Sequence, residues 1–299
     1  MAAPLLSLTD PRASARAQGL YHFLQEQAGK RVLLAQQESP VRVRHDQEME
    51  YLQRVTGRLP VMRGLDFIHN DFDGVVERAL RWNDRGGLVT ICWHTGVEGI
   101  GYPESQKESP DFDRLLSPGT PENGLLLSRW EACVRALRRL GEADVPVLWR
   151  PFHEFDGQWF WWGKGGGDAF QALWRMMYRC FTQEGLHHLI WVLGYADDVR
   201  PGWYPGDDFC DVLGSDTYKT ETCHAASYRR LKALSPQKPL AFHECGLLPP
   251  PDAFFQEGAP WAWVMPWHGK WLMQDQSPDR LREIYRDSRM VTLQDGISF

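Results

Sequence analysis

The sequence predicts a single (β/α)8 barrel, the TIM-barrel fold, over residues 1–299. Short apolar runs typical of buried parallel strands alternate with longer segments of helical periodicity, and eight such runs are present. An open doubly wound sheet would show a glycine-rich turn after its first strand, but Gln36, Gln37 and Glu38 stand there. The chain length also suits one barrel domain, which typically has about 250 residues.

The eight runs are predicted as the barrel strands in chain order. Each is apolar along most of its length, and turn-forming or charged residues lie between it and the next segment. They are Val32–Gln36, Val61–Gly64, Leu88–Trp93, Val145–Arg150, Leu189–Leu193, Val212–Asp216, Pro239–His243 and Ala262–Trp267.

Amphipathic segments between the runs predict the outer helices. Ser128–Leu140 and Ala169–Phe181 carry apolar residues at three- and four-residue spacing. The stretch Thr95–Gly124 is rich in glycine, proline and charge, so we expect a long loop at the carboxyl ends of the strands.

Composition limits the classes of function. A net charge of −6 without a basic stripe argues against a nucleic-acid partner. The six cysteines show no C-x-x-C spacing, so we expect reduced thiols. Fourteen Trp, nine Tyr and fourteen Phe can fill a core or stack on sugar rings, and composition does not separate these roles.

The N-terminus has a short apolar stretch with no basic segment before it, and Asp10 and Arg12 interrupt it, so no signal peptide is predicted. No run of eighteen apolar residues predicts a membrane helix. We therefore expect a cytoplasmic protein if the chain is complete, and a secreted one if a leader has been removed. A monomer is expected.

Two glutamates stand where the fourth and seventh predicted strands end. Glu154 and Glu244 closely follow apolar runs, and this fold carries its active sites at the carboxyl ends of its strands. Two carboxyl groups about 5–5.5 Å apart are what retaining glycoside hydrolysis requires. The alternative is that either glutamate is a structural acid buried against an arginine such as Arg63 or Arg150.

Other polar and aromatic residues end neighbouring strands. His153 and His94 suit either a satisfied core position or a hydrogen bond to a substrate hydroxyl, and we favour substrate contact. Tyr218 follows the sixth strand and can hold the nucleophile through its hydroxyl. Trp267 ends the eighth strand and can lie under the reacting sugar.

Four consecutive aromatic residues, Trp159 to Trp162, follow Glu154 on a predicted loop. An aromatic cluster flanked by glycines near a candidate acid favours a sugar-stacking wall over core packing. We expect at least Trp159 and Trp162 to face the cleft.

Metal and serine-hydrolase chemistry are not favoured. The histidines and acids show no H-x-x-x-H, H-E-x-x-H or EF-hand spacing. The G-x-S-x-G elbow is also absent from the sequence. No cofactor or metal is expected.

At these residues the sequence resembles glycoside hydrolase family 26, whose best-known members are endo-β-1,4-mannanases. The segment Trp149–Gly163 is similar to the acid/base signature of that family, and the resemblance extends over most of the chain. Further segments agree in order, namely Ala35–Glu38, Gly64–Asp66, Val89–His94, Trp203–Gly206 and Gly214–Tyr218.

The resemblance implies that Glu154 is the acid/base and Glu244 the nucleophile of a retaining mechanism. It also implies a subsite around the reacting sugar lined by His94, Trp159, Tyr218 and Trp267, with His153 in place of the asparagine common in related barrels. Two departures concern fine substrate preference, the pair Phe155-Asp156 in the signature, where the family often has Met-Asn, and His243 before the nucleophile.

The substrate that the resemblance implies is β-1,4-mannan, including gluco- and galactomannan and their oligosaccharides. The alternative within the family is a mixed-linkage β-glucanase or a β-xylanase, because the machinery is shared and only contacts to the sugar 2-hydroxyl differ. A noncatalytic carbohydrate-binding protein is the alternative from another class, and the presence of both glutamates argues against it.

Overall fold

The computed structural model describes residues 4–41, 43–97, 101–196, 198–218 and 223–299. Eight parallel strands follow one another in chain order around a closed barrel, because β1 pairs with β2 on one side and with β8 on the other. The strands are β1 Val32–Gln37, β2 Met62–Asp66, β3 Leu88–Cys92, β4 Val147–Arg150, β5 Leu189–Tyr195, β6 Val212–Thr217, β7 Leu240–Cys245, β8 Trp263–Pro266 and a short β9 Met290–Val291.

The predicted barrel and its eight strands are confirmed. The majority of the strand ends differ from the predicted bounds, each by one or two residues. Strand β7 extends to Cys245, so Glu244 lies within a strand instead of after it. The two-residue strand β9 was not predicted. It pairs in parallel with the start of β1, with Val32 opposite Met290.

Helices surround the barrel. They are α1 Ala15–Gln27, α2 Gln47–Thr56, α3 Phe72–Asp84, α4 Phe112–Leu116, α5 Pro121–Glu142, α6 Gly166–Gln183, α7 Ala225–Leu234, α8 Pro251–Gln256, α9 Lys270–Met273 and α10 Pro278–Arg286. The predicted helices Ser128–Leu140 and Ala169–Phe181 lie inside α5 and α6. Within the described residues, no helix has both the length and the apolar character needed to cross a membrane.

The predicted loop Thr95–Gly124 is partly wrong. It contains α4, and α5 already begins at Pro121, where the side chain of Thr120 caps the helix by accepting from the backbone N–H of Asn123. Proline suits the first position of a helix because its missing N–H has no partner there in any case. Residues 98–100 of the predicted loop lie outside the described residues.

The alternation of strand side chains produces two apolar clusters. Leu33 and Ala35 point into the barrel with the inward residues of the other strands, whereas Val32 and Leu34 pack against the outer helices. Helix α1 packs against the interior cluster, and its Tyr21 hydroxyl donates to the backbone oxygen of Asp211, just before β6. This helix therefore covers the amino-terminal end of the barrel and leaves the other end to the site.

All six cysteines are free thiols, and five of them are buried.

Candidate active site

Glu154 lies at the mouth of the barrel after a turn with unusual backbone geometry. Phe152 and Glu154 adopt left-handed φ angles of 51° and 52°, which non-glycine residues rarely adopt. The backbone N–H of Glu154 donates to the oxygen of Gly194 at the end of β5 at 2.7 Å. Backbone strain of this kind is concentrated at functional sites, and here it directs a carboxyl group into the mouth.

Glu244 projects from β7 and is almost entirely buried, with 3% of its surface exposed. One carboxylate oxygen accepts from a guanidinium nitrogen of Arg150, and the other accepts from the hydroxyl of Tyr218 at 2.6 Å. The second guanidinium nitrogen donates to Asp216 at 2.7 Å. Arg150 itself is fully buried. Its positive charge offsets the free-energy cost of burying two carboxylates.

The alternative that the glutamates are structural acids buried against an arginine applies only in part. Arg150 does pair with Glu244, as that alternative required, but the pair lies in the mouth beside a second carboxyl group. Arg63 pairs with Glu38 instead, at 2.8 Å. Burial against an arginine therefore holds Glu244 in place without removing it from the site.

The two glutamates are close together. One carboxylate oxygen from each of Glu154, Asp216 and Glu244 lies within 4.8 Å of the other two. Inverting glycosidases need roughly 6.5–9.5 Å between carboxyl groups to admit a water, and retaining ones need about 5–5.5 Å. A closest approach of the oxygens within 4.8 Å is short enough for the retaining arrangement.

The environments of the two glutamates differ. Burial, and then the nearby charge of Glu244, raise the pKa of Glu154 to about 7. The indole N–H of Trp159 donates to the Glu154 carboxylate at 2.9 Å and acts in the opposite direction. Glu154 is consequently available as a proton donor near neutral pH, whereas Glu244 accepts bonds from Arg150 and Tyr218 as an anion would.

His94 and His153 pack edge to face with ring centroids 4.5 Å apart, and both are buried. Burial, and then Arg150, hold the pKa of His153 well below its usual range, so its ring is neutral. Its Nε2 lies 3.9 Å from a carboxylate oxygen of Glu244. Burial also disfavours the charged form of His94, but the carboxylates of Asp66 and Glu244 together outweigh it and raise the pKa of His94.

The aromatic segment divides between cleft and core. Trp159 is 44% exposed, as expected of a stacking surface. The prediction that Trp162 faces the cleft is wrong, because its ring is fully buried and stacks on Phe160 with centroids 4.4 Å apart. Its N–H donates to the backbone oxygen of His153 at 2.8 Å. Trp162 thus supports the turn before Glu154 from below.

Tyr218 and Trp267 both reach the mouth half-buried. Trp267 follows β8, and its backbone N–H donates to the oxygen of Cys245 at 2.9 Å. Its ring centroid lies 6.2 Å from that of His94. Apart from Trp162, the predicted site residues therefore converge on the same end of the barrel.

A cavity of about 490 Å³ opens beside Glu154 and is bounded by residues that follow β5 and by the end of β6. Its lining includes Trp159, Asp156, Asp198, Arg200 and Tyr218. A cleft of this size that combines charged side chains with one exposed tryptophan suits a polar ligand with flat apolar faces.

Sequence reasoning missed three charged residues that hold the site together, Arg150, Asp216 and Asp66. From the sequence, Arg150 was expected only as a possible partner of a buried structural glutamate. The available signal was a charged residue at the end of an otherwise apolar buried strand, since lone charges are rarely buried without a partner. That signal marks all three residues.

Two groups of side chains in the described residues have the composition of metal ligands, Asp66 with Cys92 and His94, and Glu154 with Asp216 and Glu244. In the first, His94 Nδ1 is already bound to Asp66 at 2.5 Å. In the second, the guanidinium of Arg150 already bonds two of the three carboxylates. A cation would have to compete with these bonds.

A closed (β/α)8 barrel with two closely spaced carboxyl groups of different environment, beside a cleft that carries charged side chains and an exposed tryptophan, defines the class of barrel glycosidases. The sequence profile described as "Glycosyl hydrolase family 26" matches residues 9–295. The chain belongs to this family.

Similar proteins carry consistent names. A "Mannan endo-1,4-beta-mannosidase" of Thermothelomyces thermophilus is 32% identical over 96% of this chain and 62% of its own length. The "Mannan endo-1,4-beta-mannosidase B" of Piromyces sp is 26% identical over 98% of this chain and 54% of its own length. The chain therefore spans only about half to three fifths of these curated relatives.

Solved structures agree over the whole chain. A β-mannanase from a symbiotic protist of the termite Reticulitermes speratus, complexed with gluco-manno-oligosaccharide, superposes with a TM-score of 0.88 at 30% identity, covering 98% of both chains. A ruminal GH26 endo-β-1,4-mannanase superposes with a TM-score of 0.92 at 26% identity, covering 99% of this chain and 72% of the other.

Proposed function

We propose that this protein is a retaining β-1,4-mannanase in which Glu154 is the acid/base and Glu244 the nucleophile. The observation that carries the proposal is the pair of carboxyl groups whose oxygens lie within 4.8 Å of each other in unlike environments. Relatives named as mannan endo-1,4-β-mannosidases support the choice of substrate.

In the first step, protonated Glu154 gives its proton to the glycosidic oxygen while a carboxylate oxygen of Glu244 bonds to the anomeric carbon. The bond between that carbon and the glycosidic oxygen breaks, and the leaving sugar takes the proton. A pKa of about 7 keeps a large share of Glu154 protonated at neutral pH.

Arg150 and Tyr218 prepare Glu244 for attack. Their hydrogen bonds reach different carboxylate oxygens, so they fix the plane of the group. They also stabilise its anion in a buried position, and the hydroxyl of Tyr218 can be released when one oxygen becomes the ester oxygen.

In the second step, Glu154 is a carboxylate and removes a proton from a water that attacks the anomeric carbon. Glu244 leaves, and the sugar is released with its original β-configuration. Once Glu244 is esterified, its negative charge is gone and the pKa of Glu154 falls, which suits the change from acid to base.

The cleft beside Glu154 is the place for the leaving-group side of the chain, with Trp159 as its stacking surface. Trp267 and His94, whose ring centroids are 6.2 Å apart, are assigned to the sugar that is attacked. Mannan, glucomannan and galactomannan are the proposed substrates. A mixed-linkage β-glucanase or a β-xylanase would use the same two glutamates.

The test incubates wild type, Glu154→Gln and Glu244→Gln with mannan, mixed-linkage β-glucan and xylan, and separates the products by size. We expect manno-oligosaccharides from wild type and at least a hundredfold less from either variant. Glu104→Gln, an exposed glutamate in the loop after β3, is the matched control and retains wild-type rates.

The outcomes separate the alternatives. Cleavage of glucan or xylan instead of mannan would keep the mechanism and refute the substrate. Absence of cleavage of every polymer by wild type would favour a carbohydrate-binding protein. The anomer released first, followed by proton NMR, tests retention, since an initial α-product would refute the double-displacement mechanism.

A further inference from the structure

Asp66 is a buried carboxylate at the end of β2 that the mechanism above does not use. It is 6% exposed and makes three hydrogen bonds. Its Oδ1 accepts from the backbone N–H groups of Ile68 at 2.9 Å and His94 at 3.1 Å, and its Oδ2 lies 2.5 Å from Nδ1 of the His94 ring. The carboxylate is therefore held by two backbone segments and reaches the mouth only through His94.

The His94 ring is restrained on several sides. It packs edge to face against Tyr102, His153 and Phe160, with centroids 4.9, 4.5 and 5.4 Å away. Because Nδ1 is bound to Asp66, Nε2 lies on the side of the ring away from that carboxylate. Within the described part of the chain, Nε2 has no hydrogen-bond partner, and the ring keeps 7% of its surface exposed.

We propose that Asp66 is a positioning residue that holds the His94 ring and favours its doubly protonated form, so that His94 Nε2–H donates to a hydroxyl of the sugar beside Glu244. This inference rests on the proposed glycosidase function and adds a residue to it. A carboxylate that accepts from Nδ1–H favours the imidazolium, in which both ring nitrogens are donors. A carbohydrate hydroxyl is the matching acceptor.

The charges around His94 are consistent with this role. The raised pKa of His94 reflects Asp66 and Glu244, which together outweigh burial and Arg150. The groups that face the ring are Asp66 from β2, Cys92 on its own strand, Tyr102 after β3, Arg150, His153 and Glu154 from β4 and its loop, Glu244 from β7 and His268 after β8. His153, in contrast, has no hydrogen-bond partner on Nδ1 among the described residues, and burial, then Arg150, hold its pKa well below the usual range.

The kinetic test compares Asp66→Asn, His94→Gln and the double variant on whichever β-1,4-linked polymer the wild type cleaves. Asparagine keeps an acceptor for the two backbone N–H groups but removes the charge. We expect kcat/KM to fall roughly 10- to 100-fold in Asp66→Asn, the range for one charge-assisted hydrogen bond. The double variant should be no worse than His94→Gln alone.

The chain offers a matched control. Asp10 Oδ2 lies 2.6 Å from Nδ1 of His187, just before β5 at the opposite end of the barrel. Asp10→Asn removes a pair of the same chemistry and should change kcat/KM by less than about twofold. Losses that multiply in the Asp66→Asn/His94→Gln variant, or an Asp66→Asn rate within twofold of wild type, would overturn the proposal.

A second measurement does not depend on activity or on the folding of Asp66→Asn. Nitrogen-15 NMR of the histidine side chains, assigned with His94→Gln, reports tautomer and titration midpoint directly. We expect the neutral form of wild-type His94 to carry its proton on Nδ1, and we expect the ring to hold a second proton, on Nε2, up to a higher pH than an unperturbed histidine does. A bare Nδ1 or a midpoint at or below the ordinary value contradicts the proposal, even if no polymer is cleaved and the proposed function fails.

Discussion

Replacing Trp159 by phenylalanine separates two roles of one residue, stacking and hydrogen bonding. Its ring is 44% exposed in the cleft, and its indole N–H donates to the Glu154 carboxylate at 2.9 Å. Phenylalanine keeps an aromatic surface but has no N–H. The bond stabilises the charged form of Glu154 and so lowers its pKa, and its removal must therefore raise the pKa above the present value of about 7.

The size of the shift follows from the energy of one hydrogen bond to a charged group. Such a bond contributes about 1.5–3 kcal/mol when buried, and the exposure of Trp159 lets water replace roughly half of it. About 0.75–1.5 kcal/mol remains, which corresponds to a pKa shift of roughly half to one unit. Because Glu154 must be protonated to act as the acid, activity in Trp159→Phe should extend to higher pH by that amount.

The assay is kcat/KM against pH for a soluble oligosaccharide substrate, which reports the pKa of the free enzyme. Loss of stacking area will lower kcat/KM at every pH, but it will not move the alkaline limb. Trp271→Phe is the control, since Trp271 packs against Tyr218 at 5.0 Å and not against Glu154. An alkaline limb that stays in place or moves to lower pH in Trp159→Phe would refute the reasoning.

Three further predictions concern the groups around the carboxyl pair. Arg150→Met leaves two buried carboxylates without their cation and should lower the free energy of unfolding, measured by urea titration, by about 3–5 kcal/mol. The control Arg58→Met removes an ion pair that is open to solvent and should lower it by less than about 1 kcal/mol. Tyr218→Phe removes one bond to Glu244 and should reduce kcat/KM roughly tenfold or more with little change in Tm; an unchanged rate would contradict its role. Burial raises the pKa of Asp156 to about 6, so this carboxylate destabilises the fold increasingly as pH rises from about 4 through 6. Asp156→Asn should therefore raise the free energy of unfolding by about 1–2 kcal/mol at pH 8 and by almost nothing at pH 4. A gain of equal size at both pH values would refute this sign.

The sequence was sufficient for the barrel and for the position of the two glutamates along it. A buried parallel strand is a local apolar run, and side chains at its carboxyl end reach the mouth whatever the rest of the chain does. Glu154 and Glu244 are found this way, as are Tyr218 and Trp267. The start of α5 was also within reach, because Thr120 and Pro121 form a local helix-start signal.

The tertiary structure decided which side chains meet. Arg150 bonds Asp216 and Glu244, which follow it in the chain by 66 and 94 positions. Asp66 bonds His94, which follows it by 28 positions. Trp159 and Trp162 have the same residue type and neighbouring positions, yet one lines the cleft and the other fills the core. Local sequence specifies where a strand ends, but the partners of a buried charge or ring depend on how distant segments pack, so these contacts exist only in the closed barrel.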